Sequence, residues 1–160
     1  MYNINSLLVY KKDVCIVKDI KYKYIKDTDY YILTPLIDKS LNIQIPTNSP
    51  HIRNLITKEK VKEIINSIPK IDIIKSNSKS LENEYKELMQ SGKHEDLIKI
   101  IKTTYLRNKE RIDNNKKTTD KDTYYFNQAE TYLYNEISAV LNLSYEDAKN
   151  YIINEVTKLT

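Results

Sequence analysis

The stretch LNIQIPTNSPHIRNLITKEKVKEIINSIP, residues 41–69, contains the change of hydrophobic period that decides the fold. At its start Leu41, Ile43 and Ile45 alternate with Asn42 and Gln44, the two-residue period of a strand with one buried face. Past residue 55 the period becomes helical. Thr57 is placed to cap a helix over Lys58–Ser67, and Pro69, which cannot continue it, ends that helix. Upstream, Val14, Ile16, Ile20, Tyr22 and Tyr24 share one parity, with Asp19, Lys21 and Lys23 on the other. Ser6–Tyr10 and Asp29–Leu36 read as two further strands, and turn signals fall at Lys11–Asp13, Lys26–Thr28 and Asp38–Ser40. Four or five short strands before the switch predict a small, twisted, partly open β-barrel.

Downstream the pattern predicts helices throughout. Ser80 begins one that runs through Gln90, with Gly92 fitting the left-handed position just past its end. A third covers His94–Ile112, with Leu97, Ile98, Ile101, Tyr105 and Leu106 as its apolar stripe. Thr119 with Asp122, and Ser144 with Asp147, resemble capping boxes for helices over Asp120–Leu141 and Tyr145–Leu159. On the former, Phe126, Ala129, Leu133, Ile137 and Val140 recur at spacings of three or four. Residues 71–78 form an irregular connector. The expected architecture is α+β: a sheet domain over residues 1–53 and a bundle of about five helices over residues 54–160.

Composition narrows the chemistry. In 160 residues, 40% are hydrophobic and 30% charged, a balance suited to folded domains and not to a disordered chain. Gly92 is the sole glycine, so glycine-rich dinucleotide and phosphate loops and the GxSxG nucleophile elbow are excluded. Two histidines, His51 and His94, and one cysteine, Cys15, are too few for a Cys/His zinc site. Cys15 has no partner for an internal disulfide, which suits a reducing compartment. It lies on an alternating strand, opposite in parity to Val14 and Ile16, and reads as a small strand side chain. His94 reads as a solvated first-turn residue and His51 as part of a polar turn. The acidic pairs Glu82/Glu84 and Glu95/Asp96 point apart on helices and do not converge on a metal. No enzymatic activity, cofactor or metal is expected. No run reaches the length of a membrane span, and MYNINSLLVYKK is too short and polar for a signal peptide. A cytoplasmic location is expected.

Charge is unevenly distributed. Residues 1–53 carry +3, residues 54–98 are neutral, residues 99–121 carry +5 and residues 122–160 carry −4. The basic segment reads either as a contact for nucleic-acid phosphates or as a solvated helix face and loop. The 14 tyrosines against one phenylalanine and no tryptophan offer base stacking, but read more simply as core-rim residues with a wet hydroxyl.

The order of elements and several segments resemble the CarD/CdnL transcription regulators of bacteria. NSLLVYKKDVCIVKDI is similar to the family's first two strands, and DTDYYILTPLIDKSLNIQIP to its next pair. RNLITKEKVKEIINSIP resembles its first linker helix. YKELMQSGKHEDLIKIIKTTYLRNKER is the most specific stretch, and NQAETYLYNEISAVL with LSYEDAKNYI resembles the closing helix pair. The resemblance implies an N-terminal Tudor-like barrel that docks on the RNA polymerase β subunit. It implies a helical domain that touches promoter DNA at the upstream edge of the bubble, without sequence specificity, and alters open-complex stability. A monomer, nucleoid-associated through the polymerase, is expected. By resemblance Lys23, Ile25, Gln44 and Ile45 fall in the docking region. Lys23 and Gln44 stand where relatives often carry arginine, whose planar fork neither reproduces. Where relatives carry a tryptophan wedge, Ile74 is the nearest match; it either inserts at a base step or packs on the bundle. A basic pair expected early in the fourth helix is replaced by Thr123 and Tyr124. The remaining candidate phosphate contacts are Lys75, Lys79, Lys102, Arg107, Lys109, Arg111, Lys116 and Lys117. An alternative is a polymerase-binding adaptor whose helical domain recruits protein, not DNA.

Overall fold

A computed structural model describes residues 1–75 and 80–160. Two compact units divide the chain, Met1–Ile56 and Thr57–Thr160.

The first unit is an antiparallel sheet of β1 (Leu7–Tyr10), β2 (Asp13–Ile25), β3 (Thr28–Pro35), β4 (Ile43–Pro46) and β5 (Ile52–Arg53). Spatial order is β4-β3-β2-β1-β5, so the sheet is open, with β4 and β5 at its edges. Its core gathers Leu8, Cys15, Val17, Tyr31, Leu33 and Ile45, with Ile20 and Ile43 packed against them. This corrects the parity expected for β2. Val14, of the expected parity, is buried at 4% exposure, but the residues that join the sheet core at the start of the strand are Cys15 and Val17, while Ile16 is only half-buried. A bulge between Val17 and Asp19 then shifts the register by one, so that Ile20 pairs with Tyr31 and faces the same core. Tyr22 and Tyr24, expected at a core rim, lie outside, 68% and 44% exposed.

The β2–β3 connection is a two-residue turn. Ile25 pairs with Thr28, and both Lys26 (φ 52°) and Asp27 (φ 57°) take left-handed conformations. That is the type I′ geometry favoured by strand twist, built here from residues other than the usual Asn-Gly.

The second unit contains α1 (Lys58–Ser67), a 3₁₀ turn (Ile68–Lys70), α2 (Leu81–Ser91), α3 (His94–Asp113), α4 (Asp120–Leu141) and α5 (Tyr145–Lys158). Thr57, Thr119 and Ser144 accept the backbone N–H groups of Lys60, Asp122 and Asp147, as their sequence positions predict. Gly92 takes the left-handed cap at the end of α2, with φ 65°. Buried apolar side chains come from every helix, including Ile64 and Ile65 of α1, Leu81 of α2, Leu97 and Ile100 of α3, Leu133 and Ile137 of α4, and Ile152 of α5. The buried face of α3 differs from the expected stripe. Thr103 and Thr104 are buried, whereas Tyr105 and Leu106 are exposed. The threonines can be buried because their hydroxyls donate to the carbonyls of Lys99 and Ile100, both at 2.7 Å.

Candidate functional site

Two surfaces collect the residues singled out by sequence. The first is the edge of the sheet around β4. Thr47 N–H donates to the Asp29 carbonyl at 2.9 Å, which marks a hydrogen-bonded pair. Antiparallel ladders alternate, so Ile45 and Ile43 turn their main-chain groups toward β3 while Gln44 and Pro46 turn theirs away. Gln44 is exposed in side chain as well. Ile45 is 6% exposed and its side chain packs in the sheet core.

Lys23 lies in a second irregularity of β2, between Lys21 and Ile25, with φ 47° and its N–H donating to Asp29 Oδ1 at 2.9 Å. This bulge turns Tyr22, Lys23, Tyr24 and Ile25 to the exterior. The Tyr24 ring meets Tyr30 edge-on at 5.7 Å, and Lys21 Nζ sits 4.5 Å from the Tyr24 centroid. Tyr30 in turn pairs with Pro46 of the edge strand. The result is an exposed aromatic and basic rim next to an outward-facing strand edge.

The second surface is the turn between α3 and α4. Asn115 takes a left-handed conformation, φ 59°. Its N–H donates to the Ile112 carbonyl at 3.0 Å, and that of Lys116 to the Arg111 carbonyl at 2.7 Å. This paired cap reverses the chain. It brings Lys117 back along α3, where the carbonyl of Lys117 accepts Arg111 Nε at 2.7 Å. Arg107, one turn earlier, donates through Nε to Asp122 Oδ2 at 3.1 Å. Asp122 is fully buried, and its other oxygen accepts the Tyr85 hydroxyl at 2.8 Å. Burial, then this hydrogen bond, holds the Tyr85 hydroxyl well above the ordinary phenol range. Arg107, Arg111 and Lys116, with Glu110 and Asn114, line one cavity of about 180 Å³. Lys116 and Lys117 are exposed at the turn, and Lys109 is exposed on another face of α3.

The remaining candidates separate from this cluster. Ile74 is 8% exposed and its N–H donates to Thr103 Oγ1 at 2.9 Å, so in this structure it packs on the bundle. Lys102 is likewise drawn into the structure. Its ammonium donates to the carbonyls of Ile68 at 2.8 Å and Ile71 at 2.5 Å, securing the 3₁₀ turn. Lys75 is exposed and lines a cleft with Glu84, Glu87 and Lys99. Lys79 lies outside the described residues.

Other reactive groups are accounted for by structure. Cys15 is buried, and burial, with the nearby Asp13, pushes its thiol up to about 11. His94, expected to be solvated, places Nε2 2.8 Å from Glu136 Oε1, a buried carboxylate of α4. The Lys11 N–H donates to the carbonyl of His51. Sequence reading missed Tyr85 and Glu136 altogether. It found Asp122 only as the closing residue of a capping box, three after Thr119, whose side chain turns inward instead of back to the cap. An apolar groove of about 450 Å³ runs between α3, α4 and α5, past Tyr105, Phe126, Leu133 and Ile153. No described helix is long and apolar enough to cross a membrane. No protein-family model matches the chain, and no curated protein matches it.

Proposed function

We propose that the chain is a CarD-like transcription regulator. In this reading the sheet unit is a Tudor-like module that docks on the RNA polymerase β subunit. The helical unit contacts promoter DNA at the upstream edge of the bubble and modulates open-complex stability without catalysis. The observation that carries the reading is the gathering of Arg111, Lys116 and Lys117 by the left-handed cap after α3. Clustered cations of this kind suit the spaced phosphates of a duplex and read no base. The edge strand supports the docking half. Gln44 offers an outward N–H and carbonyl to a partner strand, and Tyr22, Lys23 and Ile25 offer exposed side chains at the β2–β3 hairpin end of the same sheet. A tether makes a modest DNA patch sufficient, because docking raises its effective concentration.

The test is capture by the β-subunit lobe, comparing the native chain with Lys23→Glu, followed by promoter-complex lifetime for Lys109→Glu, Lys116→Glu and Lys117→Glu combined. Loss of capture and a changed lifetime are expected; unchanged values in both refute the proposal. The apolar groove between α3, α4 and α5 favours one second reading, an adaptor whose helical unit recruits protein. That reading gains if capture depends on Lys23 while lifetime ignores the charge reversal.

A further inference from the structure

The cavity at the α3–α4 turn has a more particular chemistry than a basic patch. Arg107 and Arg111 lie one helical turn apart, and each is anchored through Nε, to Asp122 and to the Lys117 carbonyl. Among the described residues these are the only hydrogen bonds their side chains make, so the terminal amino groups are the donors left for a ligand. Anchored guanidinium forks lose little freedom on binding, and their geometry matches two oxygens of one tetrahedral anion. Lys116 adds a third cation from across the cap, its backbone held by its N–H on the Arg111 carbonyl and its side chain exposed. Three features oppose an anion here: the buried Asp122 carboxylate already paired with Arg107, the Glu110 carboxylate on the wall, and the negative end of the α3 dipole, about half a charge. Against them Arg107, Arg111 and Lys116 leave the cavity positive by about half a charge. The volume, about 180 Å³, equals about six waters of bulk liquid, room for one oxyanion with some of its hydration.

We propose that Arg107, Arg111 and Lys116 form a seat for a single phosphate group, shared among them, in place of three separate phosphate contacts. The group is either a backbone phosphodiester or the phosphate of a small phosphorylated molecule. Only the first source rests on the DNA-contact reading above.

The full chain is titrated with inorganic phosphate at low ionic strength, following the arginine Nε–Hε resonances, with chloride as control. Saturable shifts at Arg107 and Arg111 with phosphate alone are expected. Arg111→Gln should weaken them about tenfold, and Lys116→Gln, which leaves the Lys117 tie in place, should do the same. No phosphate-specific shift, or shifts that persist in both variants, overturns the seat. A 20-base-pair duplex is then added. If it fills the seat it displaces phosphate. The Arg111→Gln/Lys116→Gln double variant then lowers the salt slope by about 0.9, one phosphate, and a loss near 1.8 overturns the sharing. Phosphate binding with no binding of the duplex leaves the seat standing for a small ligand and defeats the DNA reading. Duplex binding with an unaltered slope in the variants leaves the DNA reading standing and overturns the backbone phosphodiester as the group in the seat.

Discussion

Removing the Asp122 carboxylate should unfold the helical unit more readily than any exposed change. Asp122 is fully buried, accepts the Tyr85 hydroxyl at 2.8 Å and pairs with Arg107 at 3.1 Å, so it joins α2, α3 and α4. In Asp122→Ala the buried Tyr85 hydroxyl loses its partner, a cost of about 1–3 kcal/mol. The broken ion pair adds to this. A wholly buried pair would cost about 3–5 kcal/mol. The Arg107 side chain is 36% exposed and can rehydrate, so the pair's share is smaller and the total settles at about 2–4 kcal/mol. With a urea m-value of about 2 kcal/mol/M, the midpoint should fall by about 1–2 M, read from helical circular dichroism. Asp122→Asn keeps the shape and one acceptor and should cost about half as much. A double-mutant cycle with Tyr85→Phe should give a coupling of at least about 1 kcal/mol. A midpoint shift under about 0.3 M for Asp122→Ala, or no coupling, refutes the idea that this buried carboxylate organises three helices.

Replacing Lys26-Asp27 by Asn-Gly should stabilise the sheet unit by about 0.5–1 kcal/mol, because both positions require φ above zero; a lower urea midpoint refutes the turn assignment. Cys15 should resist thiol reagents at pH 8 in the folded chain and react fully in denaturant, since its buried thiol holds its proton to about 11; equal rates in both states refute this. Burial, then the charge of Glu130, pushes the Tyr134 hydroxyl up to about 12 from 10.0, so the folded form keeps a proton that the unfolded form gives up. Its stabilising contribution is therefore complete below pH 10 and is lost as pH rises from 10 to 12. Urea midpoints across that range should fall less steeply for Tyr134→Phe than for the native chain.

The fold was legible where a local signal is sufficient. Thr57, Thr119 and Ser144 start their helices, and Gly92 ends α2, because a cap is decided by a few adjacent residues. What was misread depends on partners distant in sequence. The bulge after Val17 reverses the parity of β2, and nothing local to Lys18 announces it. The two-residue strand β5 is too short to show alternation. Thr103 and Thr104 look polar, yet they line the core because α3 satisfies their hydroxyls from within. At the candidate sites, the excess of positive charge in residues 99–121 was visible, but its division was not. Lys102 and Ile74 are turned to internal duty by carbonyls and a hydroxyl more than 25 residues away, whereas Lys109, Lys116 and Lys117 remain outside. Asn115, which reverses the chain after α3, carried a readable clue: a left-handed position in a chain with a single glycine falls most readily to asparagine.

The brevity of β4 has a consequence for how firmly any guest can be held. Four residues that finish in a proline leave Gln44 as the one amide on that flank with both a donor and an acceptor to share, so a borrowed strand would zip for hardly one repeat before running out of rungs. Such a margin gives a visitor little grip through its main chain alone. It also denies neighbouring copies of the same sheet a long enough hem to stitch together into fibres.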